Sequence, residues 1–234
     1  MTTITYFLNL GHNEHIITLM DTKIVEILDK FFERYPSQEF GKGDILISAG
    51  DEPKGIFYLR SGNVRQYVIN KNGEEMTLNI YKPNTFFPMA WALNAYSNSY
   101  YFEVMNDIEV CVAPKKQVVI FVKREPKVLF DLLKRVYIGL DGVLSRLEFL
   151  MSGTARQKLI TILVISAKRF GEVKKGYIVI ILKLTHQDLA SLAGLSRETV
   201  SREMMSLKKN RLMDYTSTSI TVYNIGDLEN ELVE

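Results

Sequence analysis

Arg197, Glu198, Ser201 and Arg202 are spaced so that, on a helix, they share its first turn and a half. Val200, Met204 and Leu207 recur at intervals of four and three and mark the opposite, apolar face. An arginine fork matches O6 and N7 of guanine, and a glutamate can accept from cytosine N4, both in the major groove of duplex DNA. Lys208, Lys209 and Arg211, at the far end of the same stretch, carry charge suited to phosphates. The same side chains would serve equally well as an ordinary solvated helix face. The elements that position them have to decide.

Those elements begin at Thr185, which with Asp188 three residues on has the spacing of a helix N-terminal box. Leu189, Leu192 and Ala193 give the short helix that follows an apolar face, and Gly194 supplies the left-handed backbone that ends it. Ser196 caps the second helix. Two helices on a tight turn form a helix-turn-helix, which presents the N-terminal residues of its second helix to base edges. The pattern predicts a strand over 177–182 before this unit. After it comes a hairpin over 214–224, built from Tyr215-Thr216, a turn at Ser217-Thr218, and Ile220 to Tyr223. Strands on both sides make the unit a winged helix. Thr154 caps an earlier helix carrying Leu159, Ile162, Leu163 and Ile165, which Gly171 ends. Residues 228–234 read as a short tail.

Upstream the periodicity changes. Ile16, Leu19, Ile24, Ile27, Leu28 and Phe31 predict an amphipathic helix that Pro36 stops. Short alternating runs then predict strands at 44–47, 56–60, 64–69, 76–81, 100–104 and 108–113. Turns fall at 49–53, at Ser61-Gly62-Asn63, and at Asn72-Gly73, where Asn-Gly is a strong hairpin signal. Short strands at close spacing argue for a small antiparallel sandwich or barrel. Helices return at 115–123 and, from Pro126, over about 126–151. In the long one Leu129, Leu133, Val136, Leu140, Val143, Leu147 and Leu150 alternate steps of four and three, the a/d seam of a paired helix. That stripe could also pack on the chain's own sheet. Gly139 and Gly142 weaken such a helix and would let a neighbour approach closely. Ser152-Gly153 interrupts it.

Composition narrows the function classes. With 47% hydrophobic residues in 234, the chain can bury a real core as one large domain or two modest ones. A net charge of +2 excludes a basic coat but not a basic patch, and Lys and Arg outnumber Asp and Glu across 153–210. Cys111 is the only cysteine, so no internal disulfide and no thiolate cluster for iron–sulfur or structural zinc can form. It sits in an alternating run and reads as a small buried hydrophobe. His12, His15 and His186 are the only histidines; the first two could meet on one helical turn but lack a third ligand. No Ser/His/Asp, Cys/His or metal constellation suggests an enzyme. The longest apolar runs are broken by charges, so a soluble, cytoplasmic protein without a membrane span is expected.

The order of parts, together with the stretches LSRETVSREMMSLKKNRL, LTHQDLASLAGL and GKGDILISAGDEPKGIFYLRSGNVRQYVINKNGEE, resembles the Crp/Fnr family of bacterial transcription regulators over nearly the whole chain. The fold implied is α+β: an N-terminal antiparallel β-roll or jelly roll over 1–125, a long dimerisation helix and hinge over 126–152, and a C-terminal winged helix-turn-helix over 153–234. The resemblance implies that Arg197, Glu198, Ser201 and Arg202 read bases of a two-fold symmetric operator, with Glu198 and Arg202 foremost. Arg197 matches the cyclic-AMP-responsive branch and Ser201 the oxygen-sensing branch, so GTGA-like and TTGA-like half-sites both stay open. Phosphate contacts would fall to Thr185, Ser196, Thr199, Lys208 and Lys209. Double-stranded DNA, a second copy of the chain and RNA polymerase are the implied partners.

The effector side departs from the family pattern. Its nucleotide-binding members show Phe-Gly-Glu and, farther on, Arg-Ser or Arg-Thr. Here the region reads NTFFPMAWALNAYSNSYYFEV, with Phe87-Pro88 in place of Gly-Glu and no arginine between Arg65 and Arg124. Pro88 also removes an N–H donor. Binding of cyclic AMP in the usual manner is not expected, and no cofactor is. Phe87, Met89, Trp91, Tyr100 and Tyr101, within an aromatic run that includes Phe86, Tyr96 and Phe102, either line a pocket for another small-molecule effector or fill the roll. The expectation is a homodimeric, sequence-specific DNA-binding regulator. The alternative is a ligand-sensing or protein-interaction module whose winged helix contacts a protein.

Overall fold

A computed structural model describes residues 21–94 and 97–232, with the side chains of Leu150 and Ser152 outside that description. His12, His15, Ile16, Leu19 and Tyr96, and the side chain of Leu150, therefore lie outside the described residues. The described chain divides into two bodies, one holding 21–147 with the stretch 190–195, the other 148–189 and 196–232.

The first body opens with helix α1 (Thr22–Phe32), capped by Asp21, whose side chain accepts from the Lys23 N–H. Strands β1 (Ser37–Phe40) and β2 (Ile45–Ile47) follow. The break expected at Ser61-Gly62-Asn63 does not occur: β3 runs unbroken from Ile56 to Ile69. Gly62 adopts φ +75°, and the pairing register of this strand shifts on either side of it. The turn-forming residues thus build a bulge, which bends a strand without removing it from its sheet. A Cβ on Gly62 would stand 2.4 Å from the Asp107 carbonyl oxygen. The partner strand is corrected in the same way. The two expected strands around Asn106 are one, β6 (Tyr101–Ala113), and Asn106 Oδ1 accepts from the Asn63 N–H at the bulge.

Between them lie β4 (Glu75–Tyr81) and two elements that sequence periodicity missed, strand β5 (Thr85–Phe87) and helix α2 (Met89–Leu93). The Asn-Gly hairpin is present. Gly73 has φ +80°, and Asn70 Oδ1 accepts from the N–H groups of Asn72 and Glu74. The antiparallel sheet runs β1-β6-β3-β4, with β2 on β6 and β5 on β3. One apolar cluster fills the roll around Phe57, Leu59, Phe87, Phe102 and Val110. A second lies where Leu28, Phe31 and Phe32 of α1 meet Tyr58, Cys111 and Val118. Phe32 stacks on Tyr58 at 4.6 Å. Cys111 is fully buried. Helix α3 (Lys115–Arg124) and helix α4 (Pro126–Ser152) as far as Leu147 complete this half. Arg135 of α4 donates to the Asn84 carbonyl, and Arg146 to those of Thr77 and Leu78.

The second body is built on α5 (Ala155–Phe170), opened by a full capping box between Thr154 and Gln157. Gly153 is required before it, since a Cβ there would lie 2.6 Å from the Phe149 carbonyl oxygen. The strand expected over 177–182 is β8 (Tyr177–Ile180), and it pairs with β7 (Gly171–Lys174), which was not expected. Helices α6 (His186–Ala193) and α7 (Arg197–Lys209) precede the wing strands β9 (Met213–Tyr215) and β10 (Ile220–Val222). The sheet order is β7-β8-β10-β9. The expected tail begins inside a helix, α8 (Ile225–Asn230), capped by Asn224. Arg156–Glu231 and Lys168–Glu229 ion pairs, each 2.6 Å, tie this end of the chain to α5.

Candidate nucleic-acid interface

Helix α7 exists because one face can be buried and both ends are satisfied. Val200, Met204 and Leu207 are buried, the helix packs on α5, and Ser196 Oγ accepts from the Thr199 N–H at 3.1 Å. Gly194, at φ +63°, makes the turn that precedes it, and the Leu195 N–H bonds back to the Ala190 carbonyl. Burying the apolar face turns the polar one outward. Arg197, Glu198 and Arg202 are exposed and Ser201 is half-buried. The Arg202 side chain keeps 70% of its surface and only a long 3.5 Å contact with Glu203. Among the described residues Arg197 has no ion-pair partner. Two arginines therefore stand at the start of α7 with their guanidinium donors largely unspent, which is what bidentate contact with an acceptor pair requires. Glu198 in the first turn also suits the helix dipole.

The five residues assigned to phosphates divide. Ser196 and Thr185 spend their hydroxyls on helix caps: Ser196 Oγ donates to Thr199 Oγ1, and Thr185 Oγ1 to Asp188 Oδ2 at 2.6 Å. Lys209 is exposed and, among the described residues, has no ion-pair partner. Lys208 is also exposed but is held by Asp214 of β9 at 2.5 Å and lies over the Tyr215 ring. The Asp214 carboxylate raises the Lys208 pKa above that of an ordinary lysine. In return Lys208 holds the Asp214 pKa below the usual carboxylate range. Sequence reading missed this pair because the two residues sit on different elements. Arg211, at φ +58°, is exposed between α7 and β9.

On α4 the described side chains of the expected seam are out in solvent. Leu129, Leu133, Val136, Leu140, Val143 and Leu147 are 47–58% exposed. Phe130, Tyr137 and Leu144 widen the same face. Adding a Cβ at Gly139 or Gly142 meets no atom within 4 Å.

The five residues considered for an effector pocket divide between two packed clusters and a separate tyrosine pair. Phe87 is fully buried, stacked on Tyr81 at 4.5 Å and on Phe102 at 5.4 Å, with Tyr100 packed against the same cluster. Met89 and Trp91 belong to the cluster under α1, where Lys115 covers the indole at 4.1 Å. Tyr101 stacks on Tyr67. Arg65, beside this ladder, is gripped by Glu75 and Glu103, both at 2.6 Å. Those two carboxylates raise the guanidinium pKa in spite of its burial.

With this geometry in hand, comparison with known proteins is direct. Residues 37–125 match the family model of the cyclic nucleotide-binding domain, and residues 157–231 that of the Crp-like helix-turn-helix domain. A global nitrogen regulator of Synechocystis is 27% identical over 193 residues, covering 80% of this chain and 84% of the relative. The fumarate and nitrate reduction regulatory protein of Vibrio cholerae is 22% identical, covering 86% and 79%. A solved structure of a CooA variant from Carboxydothermus hydrogenoformans superposes with a TM-score of 0.76, covering 93% of this chain and 99% of that one at 21% identity. Together the roll, the long helix, the winged unit and both domain matches place this chain in the Crp/Fnr family of DNA-binding transcription regulators.

Proposed function

We propose that the chain works as a homodimer on an inverted-repeat operator, with α7 in the major groove. The observation that carries this reading is the face of α7: Arg197, Glu198 and Arg202 exposed on a helix whose apolar side is buried. Glu198 and Arg202 read base edges, Arg197 and Ser201 complete the set, and Lys209 meets a phosphate. Lys208 does so on leaving Asp214. Thr199 can join the phosphate contacts through its hydroxyl, whereas Thr185 and Ser196 act mainly by fixing the helix ends, because their donors are already used.

The exposed face of α4 supports the dimer. An apolar strip this long is an interaction surface in a water-soluble chain, and Leu129 to Leu147 keep the four-and-three spacing of a helix pair. Leu150 continues that spacing. Two-fold symmetry would set the recognition helices about 34 Å apart, one turn of DNA. Functionally the chain comprises a sensor-like roll (1–125), a dimerisation helix and hinge (126–152) and a DNA-binding unit (153–234). RNA polymerase is the further partner, and the cytoplasm the compartment. Among the described residues, no helix is long and apolar enough to cross a membrane.

The roll does not hold cyclic AMP in the family's usual way on this reading. Phe87 fills the interior, Pro88 offers no N–H, and Arg65 is already neutralised by two glutamates. Selection of bound sites from random duplex DNA by the purified, ligand-free protein tests the operator reading. An inverted repeat is expected. Enrichment of single half-sites only overturns the reading of a dimer on a two-fold operator, and no enrichment by a folded dimer assigns DNA competence to an added effector.

A further inference from the structure

An open cleft of about 330 Å³ lies on the first body, lined by Asp29 and Glu33 of α1, Arg60 of β3, and Asn84 before β5. Arg135 of α4 stands at its edge, donating to the Asn84 carbonyl. The volume is at the lower end for small-molecule sites, roughly 300–1,000 Å³. Its chemistry is mixed in a particular way. Among the described residues the Arg60 guanidinium makes one hydrogen bond, a long 3.4 Å bond to Glu109, and its Nε is buried without an acceptor. Arg135 pairs with Asp131 at 2.6 Å, yet its Nη2 is likewise buried and unsatisfied. A buried guanidinium N–H without an acceptor costs about 1–3 kcal/mol or more, but these two atoms are closed to solvent, so an acceptor in the cleft meets instead the part of the Arg60 side chain that stays exposed, 32% of its surface. On the other wall, Asp29 takes a hydrogen bond from Tyr58 and Glu33 is exposed beside it. Those carboxylates oppose an anion that brings negative charge alone.

We propose that this cleft binds a small zwitterion, an α-amino acid, with its carboxylate on Arg60 and toward Arg135 and its ammonium on Glu33 and Asp29. Asn84, at φ +64°, adds a side-chain amide between the two poles. All five residues are polar, so selectivity lies in the charged ends more than in the ligand's side chain. The site shares no residue with the five aromatic-run residues considered above or with α7, and it stands whether or not the operator reading does.

Calorimetric titration of the full-length protein with individual L-amino acids up to about 10 mM, ten times a Kd of ~1 mM, tests it. Butyrate and butylamine serve as single-charge probes. At least one amino acid should bind saturably, with both single-charge probes at least tenfold weaker. Arg60→Gln should weaken binding at least tenfold, and Glu33→Gln, at an exposed position that the fold does not use, should weaken it for amino acids but not for butyrate. Far-ultraviolet dichroism checks that each variant is folded. No saturable binding, equal binding of butyrate, or unchanged binding in folded Arg60→Gln would each overturn the assignment.

Discussion

Arg202 and Tyr58 show how much a single side chain can carry. Arg202→Ala should cost roughly 1–3 kcal/mol on the selected operator and relax preference at one guanine. Competition titrations against single-base variants check this, and equal weakening on random DNA would remove Arg202 from the base readers. Tyr58 is buried and donates to Asp29, and burial first, then that carboxylate, push its phenol pKa above the ordinary value. The folded state therefore keeps its proton while the unfolded phenol loses it above about pH 10. The Tyr58 contribution to stability is present below that point and is lost as pH rises beyond it. Urea unfolding across this range should show the decline, and Tyr58→Phe should flatten part of it; an unchanged slope would discount Tyr58. Residue types alone made the α7 face legible, because arginine and glutamate opposite an apolar stripe leave few options for which side is buried. The Lys208–Asp214 pair was not legible, since nothing in local spacing joins a helix end to a strand beyond it.

At the level of elements, glycine and asparagine misled and guided in equal measure. Asn72-Gly73 marked a real hairpin because Gly73 must take a left-handed backbone at the end of two paired strands. Ser61-Gly62-Asn63 is likewise made of turn-forming residues, yet β3 continues through it. There the glycine is needed for close approach to the Asp107 carbonyl, a contact made across the sheet and invisible to a local pattern. Gly62→Ala should therefore destabilise the protein by roughly 1–3 kcal/mol through backbone strain and overpacking. Denaturant midpoints measure it, and a midpoint equal to that of the parent protein would contradict the bulge argument. Short β1, β5, β7 and α2 escaped sequence reading for a simpler reason. Three to five residues are too few to establish a period, and β1 and β5 pair with strands well removed along the chain.

For the whole molecule, the sequence of roll, long helix and winged unit was readable because long periodic segments and caps dominate it. Thr154 with Gln157 and Thr185 with Asp188 form the expected caps. What periodicity left open was whether the α4 stripe faces the chain's own sheet or water, and it faces water over Leu129–Leu147. Leu140→Glu should leave the fold of one chain intact, since its side chain is already half exposed. It should shift sedimentation to a monomer and lower affinity for an inverted repeat at least ~10-fold. A variant that stays dimeric would move the interface elsewhere.

The pairing of Lys208 with Asp214 has one more outcome for a chain that binds a polyanion. The carboxylate is a built-in competitor for the ammonium, occupying it at one unit of negative charge until a phosphate displaces it. Added salt screens the competitor as well as the phosphate, so the two effects oppose each other. The salt dependence of DNA binding should then register fewer released counterions than the basic side chains near α7 would suggest, and Asp214→Asn should restore the difference by making Lys208 an uncontested cation.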